Sequence, residues 1–204
     1  NEGERLLKCI TSIRSSTNQI VYVDSGSTDD SVVQAERLGC NVVSLDMSVP
    51  FTAARARNSG LKRLLERYPE VEFIQFIDGD CQLNSSWITN AYTYLLAEAD
   101  YAVACGRRRE RFPERTVFNA LCDIEWNTPL GDANACGGDA LIRTSAIQDV
   151  GGYRNCLIAG EEPEMCYRLR QKNWKIIRLK DEMTLHDAAI TKFSQWWQRS
   201  KRAG

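Results

Sequence analysis

Seven residues, Val71-Glu-Phe-Ile-Gln-Phe-Ile77, run straight into Asp78-Gly79-Asp80. The mostly β-branched and aromatic run predicts a buried strand. Two carboxylates, separated by one small residue, then stand at the mouth of whatever sheet contains it. Oxygen ligands suit hard cations such as Mg²⁺ or Mn²⁺, which bind through one or two carboxylates plus substrate phosphates. The pair therefore points to a metal-bridged diphosphate. The competing reading is a polar turn capping a strand, because Asp-Gly is also turn chemistry. The flanking chain has to decide.

At 204 residues the chain fits one domain with a full core. Its 26 basic and 27 acidic residues nearly cancel, so net charge calls for neither nucleic acid nor an acidic surface as partner. No apolar run approaches the roughly 20 residues of a membrane span, and no signal-peptide pattern opens the chain. Eight cysteines are scattered without a C-x-x-C pair, several in apolar company. That favours buried free thiols in a reducing, cytoplasmic compartment and argues against a zinc site. Asn1-Glu-Gly-Glu4 has the form of a capping box opening a helix through Ile13. The expectation is a chain that starts at the first helix of an α/β unit, its preceding strand absent, and stops inside a helix containing Trp196-Trp197: a fragment of a longer protein.

The pattern alternates. Gln19–Asp24 reads as a strand, followed by Ser25-Gly-Ser-Thr28, a helix from Asp29 to Leu38, and a strand at Asn41–Leu45. A helix is expected from about Thr52 to Tyr68, with Leu61, Leu64 and Leu65 on one face. After the Asp78/Asp80 strand, Ser85 or Ser86 caps a helix to about Ala99, and Tyr101–Cys105 is a strand. This rhythm predicts an α/β fold with helices on both faces of a mostly parallel sheet. Beyond Gly106 the order blurs. Arg107, Arg108, Arg109, Arg111 and Arg115 form a basic cluster, read as a solvated face or a phosphate contact. A short strand near Ala140–Arg143, a helix from Glu161 to Lys172, and strands at Trp174–Leu179 and Met183–His186 follow.

Ligands of open α/β sheets sit beyond the carboxyl ends of the strands. Asp24 ends one strand and Asp78/Asp80 another, so both sets are expected in one crevice. Acidic Asp29 and Asp30 at the next helix start discourage phosphate there, so the Ser25–Thr28 turn suits a base or ribose. Arg55, Arg57 and Asn58, leading the following helix, are the alternative anion contacts.

Val23-Asp-Ser-Gly-Ser-Thr-Asp29, Ala56-Arg-Asn-Ser-Gly60 and Ile77-Asp-Gly-Asp80 resemble the successive motifs of family 2 glycosyltransferases. Cys136-Gly-Gly-Asp-Ala140, Val150-Gly-Gly-Tyr153 and Gly160-Glu-Glu162 with Arg168-Leu-Arg170 continue the series over nearly the whole chain. The resemblance implies a GT-A fold, a Rossmann-like three-layer sandwich. It implies one domain over 1–204, with a nucleotide-sugar half to about 106 and an acceptor half from about 107. It implies an inverting, metal-assisted transfer from a nucleotide-diphosphate sugar, a UDP-sugar in the first instance, to a saccharide or other hydroxyl acceptor. Asp80 would ligate Mn²⁺ or Mg²⁺, with Asp78 on the ribose or beside the metal and His186, the single histidine, completing the site. Asp24 and Ser25 would lie at the nucleobase, and Arg57 and Asn58 match the family's Arg-Asn. Glu162 takes the position of the inverting base, where the family usually has Asp. Trp126, Gly137, Gly138, Asp139 and Glu161 would border the acceptor or donor sugar.

Structural readings stand beside these. Glu161 and Glu162 are also acids favoured by a helix N-terminus, Trp126 also suits a core, and a lone histidine is commonly structural. Trp196-Trp197 with Arg199, Lys201 and Arg202 suits an interfacial helix at the inner membrane face or one docking on further sequence. Two rival functions remain: a sugar-nucleotidyltransferase, which needs an early Gly-rich phosphate loop, and a non-catalytic carbohydrate- or partner-binding module.

Overall fold

In the computed structural model, which describes residues 1–203, α1 (Glu4–Arg14) leads to β1 (Val21–Asp24), α2 (Ser31–Arg37) and β2 (Asn41–Ser44). Next come α3 (Ala53–Arg67), β3 (Phe73–Phe76), β4 (Cys81–Leu83), α4 (Trp87–Ala97) and the ten-residue β5 (Tyr101–Glu110). The second half adds α5 (Val117–Glu125), β6 (Gly131–Asp132), β7 (Ala140–Arg143), α6 (Thr144–Asp149), α7 (Glu161–Gln171), β8 (Lys175–His186) and α8 (Phe193–Ala203). The α/β alternation read up to β3 is the one that forms. At α3 the Thr52 hydroxyl accepts the Arg55 N–H at 3.1 Å. Such a cap contributes about 1 kcal/mol, while Ala54, Leu61 and Leu64 bury the inner face.

Four local expectations change. Asn1–Glu4 forms no capping box: Gly3 is the N-cap residue without a side-chain bond. Asn1 instead reaches across to the N–H of Thr28 at 2.6 Å, joining the chain start to the loop before α2. The two late strands are one twelve-residue β8. β5 continues through the arginines instead of ending at Cys105, so residue 106 lies inside a strand. Finally, α5 and α6 occupy stretches where the sequence showed no clear period.

Six strands form one sheet in the order β3-β7-β5-β8-β4, with β6 also on β8, and β1–β2 form a separate parallel pair. β5 and β8 are parallel, while β7, β4 and β6 pair antiparallel with their neighbours. The sheet is thus mixed. β7 arrives after a long excursion, so no tight helical crossover dictates its direction, and it wedges between β3 and β5. Gly106 lets β5 lie against β8: a Cβ there would stand 2.5 Å from the Trp87 ring and 2.6 Å from the Asp181 carbonyl.

The main core gathers Trp87, Leu95, Val103, Ile142, Ile147, Met165 and Leu169 from both faces of this sheet. A second cluster (Leu6, Ile10, Ile20, Ala35, Cys40) holds α1 and α2 to the β1–β2 pair. Between β1 and β3, which each use one edge for their ladder partner, lies a cavity of about 650 Å³ lined by Leu6, Ile10, Val21, Leu61, Ile74 and Phe76. No described helix is long and apolar enough to cross a membrane.

Candidate active site

The Asp78-Gly79-Asp80 turn joins β3 to β4, and buried Asp139, just ahead of β7, holds it from beneath. Asp139 accepts the Asp78 N–H at 2.9 Å and the Thr184 hydroxyl of β8 at 2.8 Å. Above it, the Asp78 carboxylate is bracketed by Arg57 at 3.1 Å and Arg108 at 3.2 Å. Arg57 also pairs with Glu161, and Arg108 lies 3.7 Å from Asp139. Burial works against the Arg108 charge, but Asp139, Asp78 and Asp80 outweigh it and hold the guanidinium above its usual range. Asp78 is therefore committed to two guanidinium groups, an arrangement suited to orienting the turn.

Asp80 faces the other way. One carboxylate oxygen lies 3.1 Å from His186 Nε2 at the end of β8, and the Cys81 thiol lies 3.7 Å from the other. Burial pushes its carboxyl up, but the His186 contact, then Arg108 and Arg5, overcome this and hold it below the ordinary carboxylate range. Behind the imidazole, His186 Nδ1 is buried without a hydrogen-bond partner, 4.0 Å from the Glu110 carboxylate. Glu110 is pinned by the N–H groups of Phe112 and Ala188 and by the Asn119 amide. At 4.0 Å the Glu110 carboxylate places negative charge behind the ring without a hydrogen bond to it. Trp126 packs edge-on against His186 at 4.9 Å, with Arg108 over its ring at 5.0 Å. Asp80, Cys81 and His186 offer ligand atoms within 4.8 Å of one another. The Asp80 carboxylate fits a hard cation such as Mn²⁺ or Mg²⁺, with His186 Nε2 beside it as a nitrogen ligand, and the buried Nδ1 of that ring is left without a partner.

α7 brings up the remaining acids. Gly160 takes a left-handed conformation and α7 starts with Glu161, whose carboxylate turns to Arg57, and Glu162, which turns inward. Glu162 Oε1 accepts the Cys136 N–H at 2.5 Å and the Cys166 thiol at 3.2 Å. Gly138 borders this side of the turn: a Cβ there would lie 3.0 Å from Arg57 and 3.2 Å from Asp78. Gly137 is exposed beside it. Arg57 thus joins β3, α3 and α7 through Asp78 and Glu161.

Other residues have different occupations. Asp24, at the end of β1, accepts the N–H groups of Gly26 at 2.9 Å and Ser27 at 3.1 Å. Burial opposes its charge, but the Ser27 and Gly26 hydrogen bonds prevail and its carboxyl sits below the ordinary range. Ser25 is exposed next to it. Asn58 clamps the loop before α7, donating to the Tyr153 carbonyl at 2.7 Å and accepting its N–H at 2.9 Å. Arg55 is tied to the carbonyls of Asp46, Val49 and Pro50.

Sequence reasoning did not single out Arg108 and Glu110. The arginine cluster splits by strand alternation: Arg107 and Arg109 turn to Asp123, whereas Arg108 and Glu110 face the site. Extending the period-2 pattern past Gly106 would have found them.

Strand ends lined with acids, helices on both faces and a mixed sheet define an α/β protein of the GT-A type. The chain belongs to glycosyl transferase family 2: the sequence profile of that family matches residues 1–151. Among curated relatives, the glycosyltransferase AglE of Haloferax volcanii is 20% identical over 92% of this chain and 64% of its own length. The pre-mycofactocin glycosyltransferase of Mycobacterium tuberculosis is 22% identical over 98% of this chain and 43% of its own. The chain thus spans under two thirds of the length of these relatives. Among solved structures, Staphylococcus aureus TarS 1–349 superposes with a TM-score of 0.66 at 17% identity, covering 92% of this chain and 58% of that one. The mannosyltransferase PcManGT of Pyrobaculum calidifontis, in complex with GDP-Man and Mn²⁺, gives 0.68 at 16% identity over 100% and 62%. The profile match holds Asp24, Arg57, Asp78, Asp80 and Gly138, while Glu162 and His186 lie past its end.

Proposed function

We propose that this chain is the catalytic domain of an inverting glycosyltransferase that moves a sugar from a nucleotide-diphosphate donor to a hydroxyl acceptor. The observation that carries the reading is the pairing of Asp80 with a histidine backed by a buried carboxylate, beside an Asp78 held by two arginines. Asp80 and His186 would hold Mn²⁺ or Mg²⁺. Asp78, Asp139 and Glu161 share Arg57 and Arg108, so neither guanidinium is left to pair with Asp80 alone. When bound, such a cation stabilises charge on a leaving diphosphate. TarS 1–349 has been solved in complex with UDP-GlcNAc and PcManGT with GDP-Man, which supports a nucleotide-sugar donor of either base.

The chain's own residues supply the rest. Glu162 takes the proton of the acceptor hydroxyl as its oxygen bonds to the anomeric carbon and the bond to the diphosphate breaks. Arg57 orients Asp78 and Glu161 around the donor. Asp24 and Ser25 sit at the base end, and Gly137 and Gly138 leave room for a sugar to approach the turn. Among the described residues β1 pairs only with β2 and β3 only with β7, so each leaves one edge without a ladder partner. Eight free thiols accord with a reducing compartment such as the cytoplasm.

Incubating the full chain with UDP- and GDP-sugars, with and without Mn²⁺, tests this. Mn²⁺-dependent release of the nucleoside diphosphate, with inverted anomeric configuration in the product, is expected. Failure of every nucleotide-sugar to bind under either condition overturns it.

A further inference from the structure

Thirty residues apart in sequence, Cys136 and Cys166 meet with their Sγ atoms 3.6 Å apart. Glu162 Oε1 lies 3.2 Å from the Cys166 sulfur, and all three residues are buried. A buried carboxylate is ordinarily paired with a cation or a metal. Among the described residues the hydrogen-bond partners of the Glu162 carboxylate are one backbone N–H and one thiol. The neighbouring guanidinium, Arg57, is taken by Glu161 and Asp78.

The spacing is that of thiol hydrogen bonds, and it also comes close to what a bound metal would set. Zinc binds thiolate sulfur at about 2.3 Å and carboxylate oxygen at about 2.0–2.2 Å, so a tetrahedral site sets S···S at about 3.8 Å and S···O at about 3.6 Å. The observed 3.6 and 3.2 Å are within a few tenths of an ångström of those edges. The ligand atoms of the three residues all lie within 4.8 Å of one another.

We propose that Cys136, Cys166 and Glu162 form a binding site for a thiophilic divalent cation, zinc foremost, distinct from the hard-cation corner at Asp80 and His186. Binding forms two metal–sulfur bonds and one metal–oxygen bond, and the two thiol protons leave to solvent. Soft thiolates select zinc over Mn²⁺ or Mg²⁺, so the two corners discriminate between ions by ligand chemistry. Zinc here occupies the carboxylate of Glu162, and zinc therefore inhibits transfer even when Mn²⁺ saturates. That last consequence rests on Glu162 being the base; the site itself does not.

Co²⁺ is the probe, because cobalt bound to thiolate absorbs by sulfur-to-metal charge transfer. The full chain is expected to take up one equivalent with that band, displaced by Zn²⁺. Asp80→Asn and Cys81→Ser should keep it, while Cys136→Ser and Cys166→Ser lose it. X-ray absorption of the unaltered protein loaded with one equivalent of Zn²⁺ checks the site without any variant: two sulfur neighbours at about 2.3 Å are expected. No band in the unaltered protein, a band that survives both serine variants, or a zinc shell with fewer than two sulfurs overturns the proposal. In transfer assays at saturating Mn²⁺, Cys166→Ser should raise the zinc concentration for half-inhibition at least tenfold. A thiolate-bound metal that leaves transfer untouched upholds the site and overturns Glu162 as the base.

Discussion

Asp80 and Glu162 are both carboxylates near the Asp78 turn, and their surroundings have little in common. Asp80 stands among charged and polar groups: an imidazole at 3.1 Å, Arg108 nearby, and a buried Glu110 behind the histidine. Glu162 stands among sulfur and apolar side chains, touching the main chain of Cys136 and the thiol of Cys166. The first environment favours ionised oxygen that binds a hard cation; the second gives the carboxylate a backbone N–H and a thiol as hydrogen-bond partners and no guanidinium or imidazole. Residue type alone is silent on this division of labour. It comes from which strand end or helix start presents the acid, and to what neighbours.

The contrast breaks most visibly at Glu162. Glu162→Gln keeps a carbonyl for the Cys136 N–H, so donor binding should persist while kcat falls by at least about 10²; full activity moves the base elsewhere, to Glu161 first. Asp80→Asn should remove Mn²⁺-dependent nucleotide binding, lowering metal affinity by more than about tenfold, as read by titration calorimetry. Equal nucleotide affinity with and without Mn²⁺ in the unaltered protein would dissolve the distinction from the other side.

Smaller effects sharpen it. His186→Ala should weaken Mn²⁺ binding by about tenfold, and an unaltered metal titration would return the histidine to a packing role against Trp126. Asn58→Ala removes bonds to Tyr153 and should cost about 1–3 kcal/mol of stability in denaturant unfolding. A loss of donor affinity with stability unchanged would instead put Asn58 in the site. Last, Asp24 and Asp80 have folded-state values held below those of the unfolded chain. Their stabilisation is complete above the ordinary aspartate value of about 3.9 and is lost as pH falls through the lower folded value. Asp24→Asn should therefore flatten the acid limb of the stability profile, and an unchanged limb would show its hydrogen bonds to be energetically neutral.

Much of the fold was readable because it depends on local pattern. The alternation through β3, the helix starting near Thr52, β7 and the start of α7 all follow from periods and turn residues that neighbouring positions specify. The errors fall where distant partners decide. The capping box at Asn1 gave way because its side chain found the Thr28 N–H instead. β8 became one strand because β5 runs alongside it for its whole length. Arg107–Arg109 read as one basic face, but a strand sends alternate side chains to opposite sides, and only the partner acids reveal which is which.

The sequence by itself determined the chemistry on offer: Asp78 and Asp80 ending a strand, Glu162 opening a helix, a single histidine late in the chain, and cysteines without a metal-binding spacing. Tertiary structure decided the assignments. It gave Asp78 to two arginines and Asp80 to His186, put a hidden carboxylate behind that histidine, and brought two cysteines thirty residues apart to one carboxylate. The reason is physical. Local pattern acts over a helical turn or a strand repeat, whereas a site is assembled by packing elements that are remote in sequence. Burial and charge are set by those neighbours.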